Sequence, residues 1–194
     1  LINKLITITR TINKNVSPSI KSVIVGVTEI YLVSFPLKNW DVKYDFGDAP
    51  DSYHTLFTSN CPRHVFSSVF PSVCIGNIVD ADYEGSPNAI AIGDDNGGLD
   101  DEDGFVTLPD LNLAQNSYTL NSIPVKNNSG KTAYLAGSID FNKNGTFDPS
   151  EASCVPVPSS GVQTVSLSWN GFTIPSVGTT YARFRITTDT NITQ

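Results

Sequence analysis

The 194-residue chain contains no methionine, only three cysteines, and no run of eighteen or more apolar residues. The last of these absences excludes a transmembrane helix, which needs about twenty such residues. No amino-terminal secretory pattern is visible either. A chain that opens Leu1-Ile2-Asn3 with no initiator reads as a processed or fragmentary product. Cys61, Cys74 and Cys154 never fall in a Cys-x-x-Cys spacing, which argues against a structural zinc site. Cys61 and Cys74 bracket a short loop and can pair in an oxidising compartment, leaving Cys154 odd; three free buried thiols are the alternative.

Positive charge is also missing where negative charge is concentrated. No Lys or Arg lies between Arg63 and Lys126. Asp80, Asp82, Glu84, Asp94, Asp95, Asp100, Asp101, Glu102, Asp103 and Asp110 all do. The net charge is −7 and the isoelectric point about 4.6. Such a field repels nucleic acid, whose binding rests on phosphate neutralisation, and attracts divalent cations. With 39% hydrophobic residues the chain is too apolar for disorder, and at 20.9 kDa it can bury one good core with room for an arm.

What the chain does have is most specific at residues 140–151. Asp140, Asn142 and Asn144 stand at positions 1, 3 and 5 of a calcium loop, Gly145 at the sharp turn, Thr146 at the carbonyl position, Asp148 at position 9 and Glu151 at position 12. Alternate side chains bring hard oxygens to one point, and the closing glutamate can bind through both of its oxygens. The bland alternative is an Asx-rich turn between strands. The flanks are not those of an EF-hand: Tyr134–Ile139 reads as a strand, and Pro156 and Pro158 forbid a following helix. The expectation is a calcium clip inserted in a β-domain.

Residues 1–40 differ in composition from the rest. Leu1–Ile12 and Ser22–Phe35 read as strands joined by a polar turn, with Lys4, Arg10, Lys14, Lys21 and Lys38 giving the segment a basic character. This is either a hairpin packed on the main domain or an arm that pairs with a neighbour. From residue 41 to 194, short apolar runs alternate with Gly, Asp and Pro. Candidate strands are Phe105–Leu108, Tyr118–Val125, Thr132–Ile139, Val162–Trp169 and Tyr181–Thr187, with turns at Asn128-Ser129-Gly130 and Asn170-Gly171. Little helical periodicity is present. The fold class expected is all-β, an antiparallel β-sandwich with long calcium-binding loops and an amino-terminal β arm.

Several longer motifs occur in order: Tyr44-Asp45-Phe46-Gly47-Asp48-Ala49-Pro50-Asp51-Ser52-Tyr53, Pro62-Arg63-His64, Gly76-Asn77-Ile78-Val79-Asp80-Ala81-Asp82, Gly93-Asp94-Asp95, Asp100-Asp101-Glu102-Asp103-Gly104-Phe105, Gly137-Ser138-Ile139-Asp140-Phe141-Asn142 and Tyr181-Ala182-Arg183-Phe184-Arg185. Over residues 44–188 the chain resembles a GEVED-type domain. The resemblance implies a β-sandwich module of a large secreted or surface-anchored bacterial protein, often adhesin-like, with no established catalytic activity. The Gly-Glu-Val-Glu-Asp motif that names the family would follow the Tyr181–Arg185 strand and is not reached by Gln194, and residues 1–40 fall outside the match. The expectation is therefore a fragment, or a sandwich whose missing strand comes from elsewhere.

The stretch 93–104 packs six carboxylates into twelve residues. Held close without a counter-ion they would repel one another and raise some pKa values. A second Ca²⁺ held by Asp94, Asp95, Asp100, Asp101 and Asp103, with contributions from Asp80, Asp82 and Glu84, resolves that conflict; a solvated acidic loop is the alternative. Asp45, Asp48, Asp51, His54 and His64 offer the residue types of a zinc or catalytic cluster, but two histidines in loops of unknown proximity are weak support for one. They read instead as hydrogen-bonding groups that pin a turn. There is no Gly-x-Ser-x-Gly and no phosphate loop. Asn127, Asn144 and Asn191 head glycosylation sequons, a weak signal.

The sequence thus points to a secreted, cell-surface module without enzymatic activity, stabilised by Ca²⁺. It would serve in an extracellular fibre, surface layer or adhesin, with copies of itself or neighbouring modules as partners and strand exchange as the route to assembly. The alternative is a calcium-dependent module that binds surface glycans. No nucleic-acid partner and no membrane span are expected.

Overall fold

The computed structural model describes residues 19–25, 30–36, 43–66, 71–76, 79, 82, 85–91, 93, 104 and 108–192. The strands are all antiparallel, and the chain divides into two units at Val42/Lys43.

The first unit carries a hairpin of β1 (Ser19–Val25) and β2 (Ile30–Pro36), in register from Ser19↔Pro36 to Val25↔Ile30. The apolar run Ser22–Phe35, expected as one strand, is therefore two strands paired with each other. A β-rich run of fourteen residues is longer than most strands, and Gly26 interrupts it. The expected strand Leu1–Ile12 lies outside the described residues.

In the second unit β3 (Lys43–Asp45) pairs with β4 (His64–Phe66), and Tyr44 also bridges to Asp82. Two three-stranded sheets follow. One has the order β5 (Val73–Ile75), β6 (Ser117–Asn127), β9 (Gly161–Asn170). The other has the order β10 (Ala182–Thr187), β7 (Ala133–Ile139), β8 (Ala152–Val157). Both sheets bury side chains in a single apolar cluster. Leu120, Ile123, Val125, Leu167 and Trp169 come from the first, and Leu135, Ile139, Val157 and Ile186 from the second. The architecture is all-β and sandwich-like.

Local sequence explains how each strand feeds that core. In β6 the buried positions are Tyr118 and Leu120, then Ile123 and Val125, so the alternation changes phase. A bulge between Leu120 and Ile123, with Ser122 at φ +59°, inserts the extra residue that brings both halves to the same face. Central strand β7 is buried on both faces. Gly137 leaves room there for neighbours: a Cβ would meet the Phe184 ring at 2.8 Å and Leu167 Cδ1 at 2.9 Å. β8 holds Pro156 because it is an edge strand, where a missing N–H costs no ladder bond. The segment read as a helix stop is thus a strand.

Buried Asn127 closes the β6–β7 turn. Its Nδ2 donates to Lys131 O (2.9 Å) and Val157 O (2.8 Å), and its Oδ1 accepts from Ser129 N and Oγ. That amide is enclosed, so the sequon at Asn127 is inaccessible in the folded chain. Cys61 and Cys74 are buried as separate free thiols, Cys74 Sγ lying 3.6 Å from Gly76 O, so the pairing open to them in the sequence is not formed. Cys154 is exposed on β8, which departs from the alternative of three buried thiols.

Candidate metal centre

The chain leaves the end of β7 at Ile139 and enters the 140–151 loop directly. Lys143 and Gly145 both adopt left-handed backbone conformations, at φ +59° and +86°, and these two turns fold the loop back on itself. Glycine is the residue that takes the second of these at no steric cost. A single 3-10 turn, Pro149–Glu151, then leads into β8.

Asp140 is fully buried, and three donors meet its carboxylate. Asn144 N donates to Oδ1 (3.1 Å), while Gly145 N (2.9 Å) and Tyr53 Oη (2.7 Å) donate to Oδ2. Its own backbone is held by Tyr181 O and by the Thr180 hydroxyl. Glu151, 4% exposed, closes the other end. Its Oε1 accepts from Asn142 N and its Oε2 from Asp148 N, both at 3.1 Å. Burial pushes the Glu151 carboxyl above its usual range; the two backbone donors oppose this, and the charges of Asp140 and Asp148 add to it.

Between the two ends, Asn142 Nδ2 and Asn144 Nδ2 both donate to Asp148 Oδ2, at 3.0 and 2.9 Å. Thr146 N and Oγ1 donate to Asn144 Oδ1. Among the described residues no three of His, Cys, Asp and Glu gather closely enough to hold a metal by themselves. Here the asparagines stand between the carboxylates. The donor set fits Ca²⁺ chemically: every side chain at positions 1, 3, 5, 9 and 12 carries an oxygen, and none offers sulfur or imidazole. Turning each Asn amide end for end exchanges its nitrogen for an oxygen of almost the same shape. Asp140, Asn142, Asn144, Thr146, Asp148 and Glu151 are thus brought into one loop.

The sequence did not reveal Tyr53. It belongs to the Asp48-Ala49-Pro50-Asp51 turn, 87 residues before its partner, and its ring packs on Phe147 (4.7 Å) and Tyr181 (5.1 Å). Burial, followed by the bond to Asp140, pushes its hydroxyl pKa up, so it remains a donor. The only local signal was an aromatic closing a motif whose acids read as pinning a turn. Those acids have structural partners. Asp51 accepts from Leu56 N and Ser59 Oγ, and buried Asp48 accepts from Gly93 N. Exposed His54 adopts φ +55°, and His64 accepts from Arg185 Nε at 3.1 Å. Asp82 accepts from Phe46 N. Asp80 and Glu84, and with them Asp94, Asp95, Asp100, Asp101 and Asp103, lie outside the described residues, as does the expected strand at residues 105–107.

Comparison of the chain with protein-family models, with curated proteins and with solved structures finds no match.

Proposed function

We propose that the chain is a calcium-stabilised, non-catalytic structural or adhesive module of an extracellular or cell-surface assembly. One observation carries the calcium part. Asp140 and Glu151, at positions 1 and 12, are both withdrawn from solvent on a loop whose other side chains at ligand positions carry oxygen. Two buried carboxylates in one loop repel each other, and a divalent cation offsets that repulsion. Asp140, Asn142, Asn144, the Thr146 carbonyl, Asp148 and Glu151 would hold the ion. Its role would be to lock the loop onto Tyr53 and so fasten the 44–53 segment to the end of the central strand β7. The resemblance of residues 44–188 to GEVED-type modules supports the secreted, surface-bound setting, where calcium is abundant enough to saturate a weak site. A glycan-binding role has less support. Phe147, the aromatic inside the loop, has one neighbour in the Tyr53 ring and another in the Arg183 guanidinium, 4.9 Å from its centroid.

Calorimetric titration tests the site. The wild-type chain should bind Ca²⁺, and Glu151→Gln should remove one ion from the stoichiometry. If the acidic stretch holds a second ion, Asp101→Asn with Asp103→Asn removes that one and leaves the first. Titrations without saturable heat would end the calcium reading.

Assembly by strand exchange rests on two features. The chain divides into two units at Val42/Lys43, and the first carries the β1–β2 hairpin. β5 and Gly76 reach Pro124–Asn127 of β6 on the side away from β9, so among the described residues the first part of β6 offers an edge to an added strand. A heterologous contact of this kind propagates into filaments when its symmetry does not close. Deleting residues 1–13 should abolish growth in light scattering and filaments in electron microscopy. A deleted chain that assembles like the intact one would exclude exchange by this arm.

A further inference from the structure

Three of the four arginines of this acidic chain, Arg63, Arg183 and Arg185, lie around the Tyr53–His64 segment, and each has a neutral acceptor. Arg63 Nη1 donates to Cys61 O (3.0 Å), Arg183 Nη2 to Tyr53 O (2.6 Å) and Arg185 Nε to His64 Nε2 (3.1 Å). Arg183 and Arg185 project from the same side of β10 and are only partly exposed. Two cations held this way repel each other and are poorly hydrated, an arrangement proteins normally offset with a carboxylate. Among the described residues, the carboxylate whose charge reaches Arg185 is Asp189, which is exposed. Beside them opens a groove of about 560 Å³ lined by Tyr44, Asn60, Cys61, Pro62, Arg63, Val65 and Arg185, with no acid among the described residues of its wall.

We propose that this groove is a carboxylate-binding site in which Arg185 and Arg63 grip the ligand. The fork of a guanidinium matches a planar carboxylate through two parallel N–H donors. Among the described residues Arg185 donates through Nε to His64, and its terminal nitrogens are the pair that would form that fork. His64 is a positioning residue: as an acceptor at Nε2 it is neutral, and it fixes the plane of the Arg185 guanidinium. Burial, with Arg185 second, pulls the His64 pKa down to about 4, so the imidazole stays neutral and adds no competing charge at neutral pH. Arg63 is held over the Phe57 and Tyr44 rings, 4.4 and 5.6 Å from their centroids, which fixes its direction at the rim.

The chemistry of the ligand follows from two further facts. A net charge of −7 disfavours a polyanion or dianion, so a singly charged carboxylate is preferred over phosphate or nucleic acid. Arg63 already occupies a face of both nearby rings, so recognition is by charge and hydrogen bonding rather than by stacking on a sugar face. A free carboxylate on an amino-acid residue and one on a sugar acid satisfy the same groups.

The test is a titration of ¹⁵N-labelled full-length chain, in calcium-containing buffer at constant ionic strength, with N-acetylglycine, glucuronate and inorganic phosphate as separate probes. At least one carboxylate probe should shift the Arg185 and Arg63 Nε resonances saturably, and phosphate should bind more weakly. Binding only N-acetylglycine identifies a peptide source, only glucuronate a sugar acid, and both equally a general carboxylate site; all three support the proposal. Arg185→Gln should weaken binding at least about tenfold, equivalent to about 1.4 kcal/mol. Arg63→Gln, at the open rim and separate from the β10 packing, should weaken it in the same direction if Arg185→Gln compromises folding. No saturable shift, phosphate binding as tight as either carboxylate, or affinity unchanged in Arg63→Gln would overturn it.

Discussion

Asp140→Ala should lower the melting temperature of the calcium-loaded chain by roughly 10 °C and abolish its response to calcium. Two losses add. The first is internal: Tyr53 Oη, Asn144 N and Gly145 N all donate to this carboxylate, and the Tyr53 hydroxyl lies beneath the loop, away from water. Leaving a buried donor without an acceptor costs about 1–3 kcal/mol, and breaking a buried charged network about 3–5 kcal/mol in all. The second is the linkage term, about 2.7 kcal/mol when the free ion stands at a hundred times its dissociation constant. Asp140→Asn separates the two. It removes the charge but keeps one acceptor oxygen for two of the three donors at most, so in chelator it should melt between Asp140→Ala and wild type, while in calcium it should gain little. Thermal melts of the three chains with calcium and with chelator decide the matter. A wild-type chain melting at one temperature in both would remove the metal and leave Asp140 as a hydrogen-bonding hub only.

That experiment also shows which part of the site the sequence made legible. A calcium loop is read from spacing alone, because its ligands lie within twelve consecutive residues and the geometry between them is local. The Tyr53–Asp140 bond spans 87 residues and depends on how the 44–53 segment lies across the end of β7. Nothing in the composition of either segment encodes that. The Arg185–His64 contact, 121 residues apart, was equally hidden. His64 read as a hydrogen-bonding group that pins a turn, and Arg185 as the end of a strand motif, with nothing to join the two.

The fold divides along the same line. Short apolar runs between turn signals placed Tyr118–Val125, Val162–Trp169 and Tyr181–Thr187 within two residues of β6, β9 and β10; in β6 and β9 one face meets the core and the other meets solvent. The bulge at Asn121-Ser122 escaped this reading, since a change of phase looks like a weak strand rather than an inserted residue. β8 escaped because Pro156 reads as a breaker until the strand is known to lie on an edge. β3, β4 and β5 are three residues each, too short for any period to register.

Acid should weaken the calcium-free chain through His64, and the sign can be worked out. Its folded pKa is about 4, below the ordinary 6.5, so its charged form is disfavoured in the fold. Above pH 6.5 the imidazole is neutral in both states and contributes no penalty. Between 6.5 and 4 the unfolded chain takes up the proton and the folded chain does not. Stability therefore falls over this window, by up to about 3 kcal/mol once pH passes below 4. Protonation also ends the acceptor role of Nε2 toward Arg185, placing two cations 3.1 Å apart. Glu151 acts in the opposite direction. Its folded pKa is raised by burial, so its protonation in acid relieves the buried charge and favours the fold. A wild-type curve alone therefore mixes the two. His64→Gln resolves them, because the glutamine carbonyl can still accept from Arg185 but cannot titrate. Urea unfolding at pH 7 and at pH 4.5, in chelator throughout, should show the wild-type chain losing markedly more stability than His64→Gln. Parallel losses in the two chains would mean that the imidazole is not held neutral, and that the Arg185 guanidinium is oriented by some other contact.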